Sequence, residues 1–197
     1  DSAYTDVGAK TLGTAAEVFA AADMIVKVKE PQPQEIALLE ARHTLFTYLH
    51  LAPDAEQTKD LIASGATCIA YETVTAATGG LPLLTPMSEV AGRLAPQVGA
   101  HSLEKAAGGR GVLLGGVPGV PAAEVVILGG GVSGTHAAMI ALGMGANVTV
   151  VDRSAEVLRR ISAQFNGAVR TAFSTRDAVQ DLAKTADLLI GCVLVPG

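Results

Sequence analysis

Residues 124–134 read Glu-Val-Val-Ile-Leu-Gly-Gly-Gly-Val-Ser-Gly, an apolar run that breaks at once into glycines spaced G-x-G-x-x-G at Gly129, Gly131 and Gly134. An alanine-rich stretch follows, and Asn147-Val-Thr-Val-Val then closes on Asp152. Strand, glycine turn, helix, strand and terminal acid occur in that order, and the order prescribes a βαβ unit in a parallel sheet. Gly129 permits the tight turn, Gly131 a close backbone approach to a pyrophosphate, and Gly134 the packing of helix on sheet. A pyrophosphate there would lie on the unpaired N–H groups of the helix N-terminus. A carboxylate at Asp152 can take both hydroxyls of an adenine ribose, whereas a 2′-phosphate would meet a like charge. The pattern therefore favours NAD over NADP, a preference that the adjacent Arg153 tempers without reversing. The competing reading is a glycine-rich turn in an α/β domain that binds nothing.

Composition removes several classes. The net charge of −5, with basic residues spread along the chain, disfavours a nucleic-acid partner. No apolar run reaches about 18 residues and no basic-then-apolar leader opens the sequence, so neither a membrane span nor a secretory signal is expected, and the chain is read as cytoplasmic. Cys68 and Cys192 each sit in an apolar, strand-like run and are expected to be buried free thiols of a reducing compartment. The four histidines occupy unrelated contexts, so no metal site is expected.

Alternating strand and helix signals predict an α/β fold of two open parallel-sheet lobes, with both faces of each sheet covered. Thr14 is placed to cap a helix over 15–21, and strands are expected over 24–28, 45–49 and 67–71. Pro31 and Pro33 open a helix expected to run to about Arg42, and Asp54 caps another that ends near Gly65. A long helix is expected from about 87 to 105 with a kink at Pro96. The domain boundary is placed inside it. A linker over 108–121, too rich in glycine for regular structure, leads to the βαβ unit. Further helices over 154–165 and 176–184 and strands near 168–172 and 188–194 complete the chain. The division is thus 1–92, a substrate-side α/β lobe; 93–122, linking helix and linker; and 123–197, an incomplete Rossmann-type dinucleotide-binding lobe with about four of six strands. The chain opens without methionine and stops just after a strand, so it is expected to belong to a longer polypeptide.

In open α/β sheets, ligands bind beyond the carboxyl ends of the strands. Lys29 emerges there from Met24-Ile-Val-Lys-Val, and His50 from Leu45-Phe-Thr-Tyr-Leu. A lysine can hold a carboxylate or polarise a carbonyl, and a histidine can move a proton near neutral pH, which together suit a small keto acid. Lys27, on the same face by strand period, competes with Lys29 for that role. Glu72 ends the third strand and is read as structural, paired with a nearby cation. His43, His101 and His136 are read as surface or helix residues. Ser88 is read as a helix cap with a ligand contact as the alternative, and Ser174 as a turn residue beside the cofactor crevice.

The runs Val26-Lys-Val-Lys-Glu-Pro31, Leu45-Phe-Thr-Tyr-Leu-His-Leu51, Ile69-Ala-Tyr-Glu-Thr73, Leu81-Pro-Leu-Leu-Thr-Pro-Met-Ser-Glu-Val-Ala-Gly-Arg93 and Gly108-Gly-Arg-Gly-Val-Leu-Leu-Gly-Gly-Val-Pro-Gly119 resemble the bacterial alanine dehydrogenases, in order and over the whole chain. The resemblance implies a substrate lobe and an NAD lobe with a cleft between, and reversible oxidative deamination of L-alanine to pyruvate and ammonia. It implies that Lys29 binds the carboxylate or carbonyl region of pyruvate, in preference to Lys27, and that His50 is the acid/base group. Ser88, Gly129, Gly131, Val132, Ser133, Gly134, Asp152, Ser174, Val193 and Leu194 match positions that contact NAD. Val157 stands where the family often carries a basic residue. An N-terminal segment with a substrate-binding arginine would precede Asp1, and a catalytic aspartate and nicotinamide-side loops would follow Gly197. Self-association as a homo-oligomer, a hexamer, is implied by resemblance only. Two rival readings are a non-catalytic nucleotide-binding module and the NAD-binding component of a proton-translocating transhydrogenase, a similar family that needs no substrate histidine. The Tyr48-Leu49-His50 run favours the dehydrogenase.

Overall fold

Side-chain caps start helices in both halves of the chain. In the computed structural model, which describes residues 2–194, a short α1 (Ser2–Thr5) precedes α2 (Ala15–Ala21). The Thr14 hydroxyl accepts from the Glu17 amide, and the Glu17 carboxylate accepts from the Thr14 amide, a reciprocal capping box. Strands β1 (Met24–Val26), β2 (Thr44–Thr47) and β3 (Thr67–Ala70) form a parallel sheet in the order β1-β2-β3. The crossovers carry α3 (Pro33–Ile36) and α4 (Ala55–Ser64), the latter capped by Asp54 and ended by a left-handed Gly65.

Two expectations are corrected in this unit. The helix predicted to reach Arg42 stops at Ile36, and the chain continues in single turns through Leu38 and Leu39. Tertiary bonding overrides local propensity here. The Arg42 guanidinium donates to the carbonyls of Phe19, Ala20 and Ala22 at the end of α2, which a continued helix could not reach. His43 is a second correction. It is buried rather than on the surface (1% exposed), its Nδ1 accepting from the Glu40 amide and its Nε2 lying 2.9 Å from the Phe19 carbonyl. That pairing assigns the proton to Nε2.

Phe19, Ile25, Ile36, Leu39, Leu45, Leu49 and Leu61 make the core under this sheet. Its other face leaves Met24, Val26 and Ile69 exposed, so among the described residues only one face is covered, not the two expected.

The chain divides into compact units between Leu84 and Thr85. The whole of α5 (Thr85–Ser102), which runs through Pro96, therefore goes with the second unit, upstream of the boundary placed inside the helix from sequence. Glycines hold it there. A Cβ on Gly92 would lie 2.2 Å from the Ser133 carbonyl oxygen, and one on Gly99 2.5 Å from Leu188. After an irregular segment come β4 (Glu124–Leu128), α6 (Val132–Gly143), β5 (Asn147–Asp152), α7 (Ala155–Gln164), β6 (Arg170–Phe173), α8 (Arg176–Thr185) and β7 (Leu188–Gly191). All four strands are parallel, in the order β6-β5-β4-β7. Counted from β4 this is 3-2-1-4, the first four positions of the six-stranded doubly wound sheet. Central β4 and β5 are buried on both faces: Val125, Ile127, Val148 and Val150 pack with Ala137, Ala138, Ala141 and Ile161 on one, and Val126, Thr149 and Val151 are buried on the other. The final residues of the expected second lobe, 195–197, lie outside the described residues, as does Asp1. Among the described residues no helix is long and apolar enough to cross a membrane.

Candidate functional site

In the second unit, backbone and one carboxylate assemble the site at the carboxyl ends of β4, β5, β6 and β7. Gly129 leaves β4 at φ +98°, and a Cβ there would meet the Cys192 carbonyl oxygen at 2.7 Å. Gly131 is the N-cap of α6, with no side chain capping the first turn and open space where a Cβ would stand. A Cβ on Gly134 would lie 1.8 Å from the Gly129 carbonyl oxygen, so only glycine lets the helix start this close to the strand. Val132 and Ser133 form the first turn of α6, and the Ser133 hydroxyl donates to the Ser88 carbonyl at 3.0 Å. Ser88 is the fourth residue of α5 and not its cap; it reaches the turn through Ser133.

Asp152 is bound into the same turn. Its Oδ2 accepts from the Gly130 amide at 2.7 Å and its Oδ1 from the Ser154 amide at 2.8 Å. Each oxygen keeps acceptor capacity for a sugar hydroxyl. The Ser174 amide donates to the Asp152 carbonyl at 2.9 Å, which brings the start of the β6–α8 turn beside the acid. Val193 lies against Gly129, its Cγ2 3.3 Å from where a Cβ would stand, and both Val193 and Leu194 are exposed just past β7. The predicted strand reached Leu194; the observed one ends at Gly191, which leaves these two residues on the rim.

Sequence reasoning missed the groups that hold the turn. The Thr135 hydroxyl bonds the carbonyls of Gly131 (2.7 Å) and Gly130 (3.2 Å), and Arg160 Nη2 donates to the Gly130 carbonyl at 2.6 Å. Nothing in the spacing of a helix surface arginine marks it for that task. Val157, in place of a basic residue, packs on Gly130, its Cγ1 2.6 Å from a notional Cβ. The Cys192 thiol nearby, like that of Cys68, is half-buried and free, and burial pushes both above the ordinary thiol value.

In the first unit the candidate groups are single side chains. The ammonium of Lys27 is engaged in an ion pair with Glu35. Burial pushes the Glu35 carboxyl up, but hydrogen bonds from Lys27 and the Gln32 amide outweigh it and hold the group below its usual value. Lys29, by contrast, has a side chain 77% exposed, its ammonium 3.9 Å from Glu30. The segment carrying it is pinned from beneath by the buried Thr47 hydroxyl, which lies 2.8 Å from the Lys29 carbonyl and 3.1 Å from that of Val28. His50 follows β2, the neighbour of β1, so both residues stand beyond the carboxyl edge of the same sheet. The His50 backbone is left-handed (φ +48°), and its ring stacks on Tyr48 with centroids 6.3 Å apart. Glu72 meets backbone amides, those of Leu49 and His50, where the sequence suggested a cation.

The strand order, the glycine turn and the acid bound to it define a Rossmann-type dinucleotide-binding unit joined to a second parallel α/β unit. Residues 1–91 match the family described as alanine dehydrogenase/PNT, N-terminal domain, and residues 95–197 match its C-terminal domain. The chain belongs to the alanine dehydrogenase/PNT family. It is 55% identical over all 197 residues to an alanine dehydrogenase of Halomonas elongata, of which it covers 53%. Among solved structures it superposes on an L-alanine dehydrogenase with a TM-score of 0.84 at 50% identity, covering 98% of this chain and 54% of that one. A transhydrogenase from Sinorhizobium meliloti superposes with a TM-score of 0.71 at 25% identity, covering 98% of this chain and 56% of that one. The chain thus spans about half the length of the relatives it matches.

The dinucleotide fits the residues present. The Gly131 position is open, the α6 N-terminus is uncapped by any side chain, and Asp152 is held at the strand end with acceptor capacity to spare.

Proposed function

We propose that the protein catalyses the reversible NAD-dependent oxidative deamination of L-alanine to pyruvate and ammonia. The observation that carries the reading is the division of labour between two lysines. Lys27 is consumed by Glu35, while Lys29 stands exposed at the strand edge that also presents His50. Lys29 would neutralise the carboxylate or polarise the carbonyl oxygen of the keto acid. His50 would take a proton as ammonia adds and return one as water leaves the carbinolamine. Gly129, Gly131, Val132, Ser133 and Gly134 would hold the pyrophosphate and Asp152 the adenine ribose, with Ser88, Ser174, Val193 and Leu194 as further contacts to NAD. The bound dinucleotide supplies the hydride that reduces the imine. Selection of NAD over NADP rests on the charge of Asp152.

The same reading includes a cytoplasmic homo-oligomer, a hexamer. His50→Ala in the full-length protein is expected to cut turnover of pyruvate, ammonia and NADH to a small residual rate, by about a hundredfold or more, while the NADH dissociation constant changes little. Turnover at the wild-type rate would remove His50 from the mechanism. The likeness to a transhydrogenase supports a second reading, in which hydride goes to NADP on another subunit. Deamination of alanine by the full-length protein separates the two.

A further inference from the structure

Successive amides at the end of β2 converge on one carboxylate. Glu72 Oε1 accepts from the Leu49 amide at 3.0 Å and from the His50 amide at 2.7 Å, and Oε2 lies 3.2 Å from the Leu49 amide. The Leu49 carbonyl accepts in turn from Nε2 of the buried Gln57 on α4. Both polar backbone groups of Leu49 are therefore held by side chains, just past the point where the pairing of β2 with β3 ends at Thr47 and Ala70.

A left-handed backbone at a residue with a Cβ is uncommon, and it persists where the surroundings impose it. His50 is one of two described non-glycine residues with positive φ, the other being Asn166; both are of types found in this region more often than most. Consecutive N–H groups pointing the same way form an anion-binding concavity, and here the anion is the protein's own carboxylate. The carboxylate and the left-handed turn support each other. Without the acceptor, two amides lose charge-assisted bonds, and residue 50 is left to the bond from Gln57 to the Leu49 carbonyl, the bonds from Asp54 and Thr58 to the Leu51 carbonyl, and the stacking of its ring on Tyr48.

We infer that Glu72 is a positioning residue for His50: by gripping the amides of Leu49 and His50 it imposes the left-handed backbone that aims the imidazole. The inference rests on His50 being the acid/base group. It assigns a job to an acid that the proposed mechanism does not otherwise use.

Three substitutions in the full-length protein test it. Glu72→Gln keeps an oxygen at the Oε1 position, which serves both amides. Glu72→Asp keeps the charge but withdraws it by one methylene. Glu72→Leu removes the acceptor at similar volume. With pyruvate, ammonia and NADH, Asp and Leu are expected to lower kcat by about tenfold or more, while the NADH dissociation constant stays within about twofold and Gln recovers most of the loss. Amide exchange over residues 45–51 should quicken in the Asp and Leu variants and stay slow with Gln.

In a His50→Ala background, Glu72→Leu should lower the residual rate no further, because the two act through one group. A kcat within about twofold of wild type in both the Asp and Leu variants overturns the inference, as does an equal loss on the His50→Ala background. Should Glu72→Leu fail to fold, the contrast of Asp with Gln carries the test. A fully active His50→Ala protein would sink the acid/base reading instead. The exchange data would then decide the backbone clamp alone: unaltered exchange removes it, quickened exchange upholds it.

Discussion

The two units build their candidate sites from different materials. In the second, the site is mostly main chain: a turn in which Gly134 admits no Cβ, an uncapped helix end, and one acid bonded to the turn's own amide. In the first, the site is side chains on a bent strand end, held by Glu72, Gln57 and Thr47 from elsewhere in the unit. A main-chain site fails when a Cβ intrudes, all at once. A side-chain site degrades by steps, as each hydrogen bond is removed.

Gly134→Ala gives the widest separation of the two. Its Cβ would stand 1.8 Å from the Gly129 carbonyl oxygen, so helix and strand must part. The expected cost is about 3 kcal/mol or more in urea unfolding, with dinucleotide binding lost. A variant of wild-type stability that still binds NADH would break the comparison. Next in size, Asp152→Ala removes the acceptor of the Gly130 amide and of the proposed ribose contact. NADH affinity should fall by about 1.5–3 kcal/mol, read by calorimetry, with the fold retained.

Thr47→Val sharpens the other side. The buried hydroxyl bridges to the carbonyls of Val28 and Lys29, so its loss should cost about 1 kcal/mol of stability and raise the KM for pyruvate more than it lowers kcat. An unchanged KM would detach the pinned segment from substrate binding. The smallest effect is an acid dependence. Glu35 has a folded-state value below its ordinary 4.5, so its contribution is complete above that value and is lost as pH falls through the lower one. Lys27→Met should flatten that part of the stability profile in acid; an identical profile would show the pair to be idle.

The second unit was largely legible because its information is local. Glycine spacing, an apolar strand and a closing acid specify the turn, and alternating strands and helices specify parallel pairing, although the 3-2-1-4 order itself is seen only in the fold. The first unit was legible only in outline. Its strands and caps at Thr14 and Asp54 were readable, but the helix expected through Arg42 ended at Ile36 once Arg42 found carbonyls on α2. His43 read as a surface residue because Phe19, whose carbonyl its Nε2 meets, becomes a neighbour only in the fold. Arg160 escaped notice for the same reason, since the Gly130 carbonyl it meets is distant in sequence.

By itself the chain of residues determined that there would be parallel α/β sheets and a glycine turn shaped for a diphosphate, because strand periodicity and the steric freedom of glycine act within a few positions of sequence. Only the tertiary structure decided which lysine is engaged and which exposed, and that His50 sits on a left-handed backbone gripped by an acid from beyond β3. Those outcomes depend on hydrogen bonds between residues distant in sequence, and a bond of that kind has no local signature until the chain closes on itself.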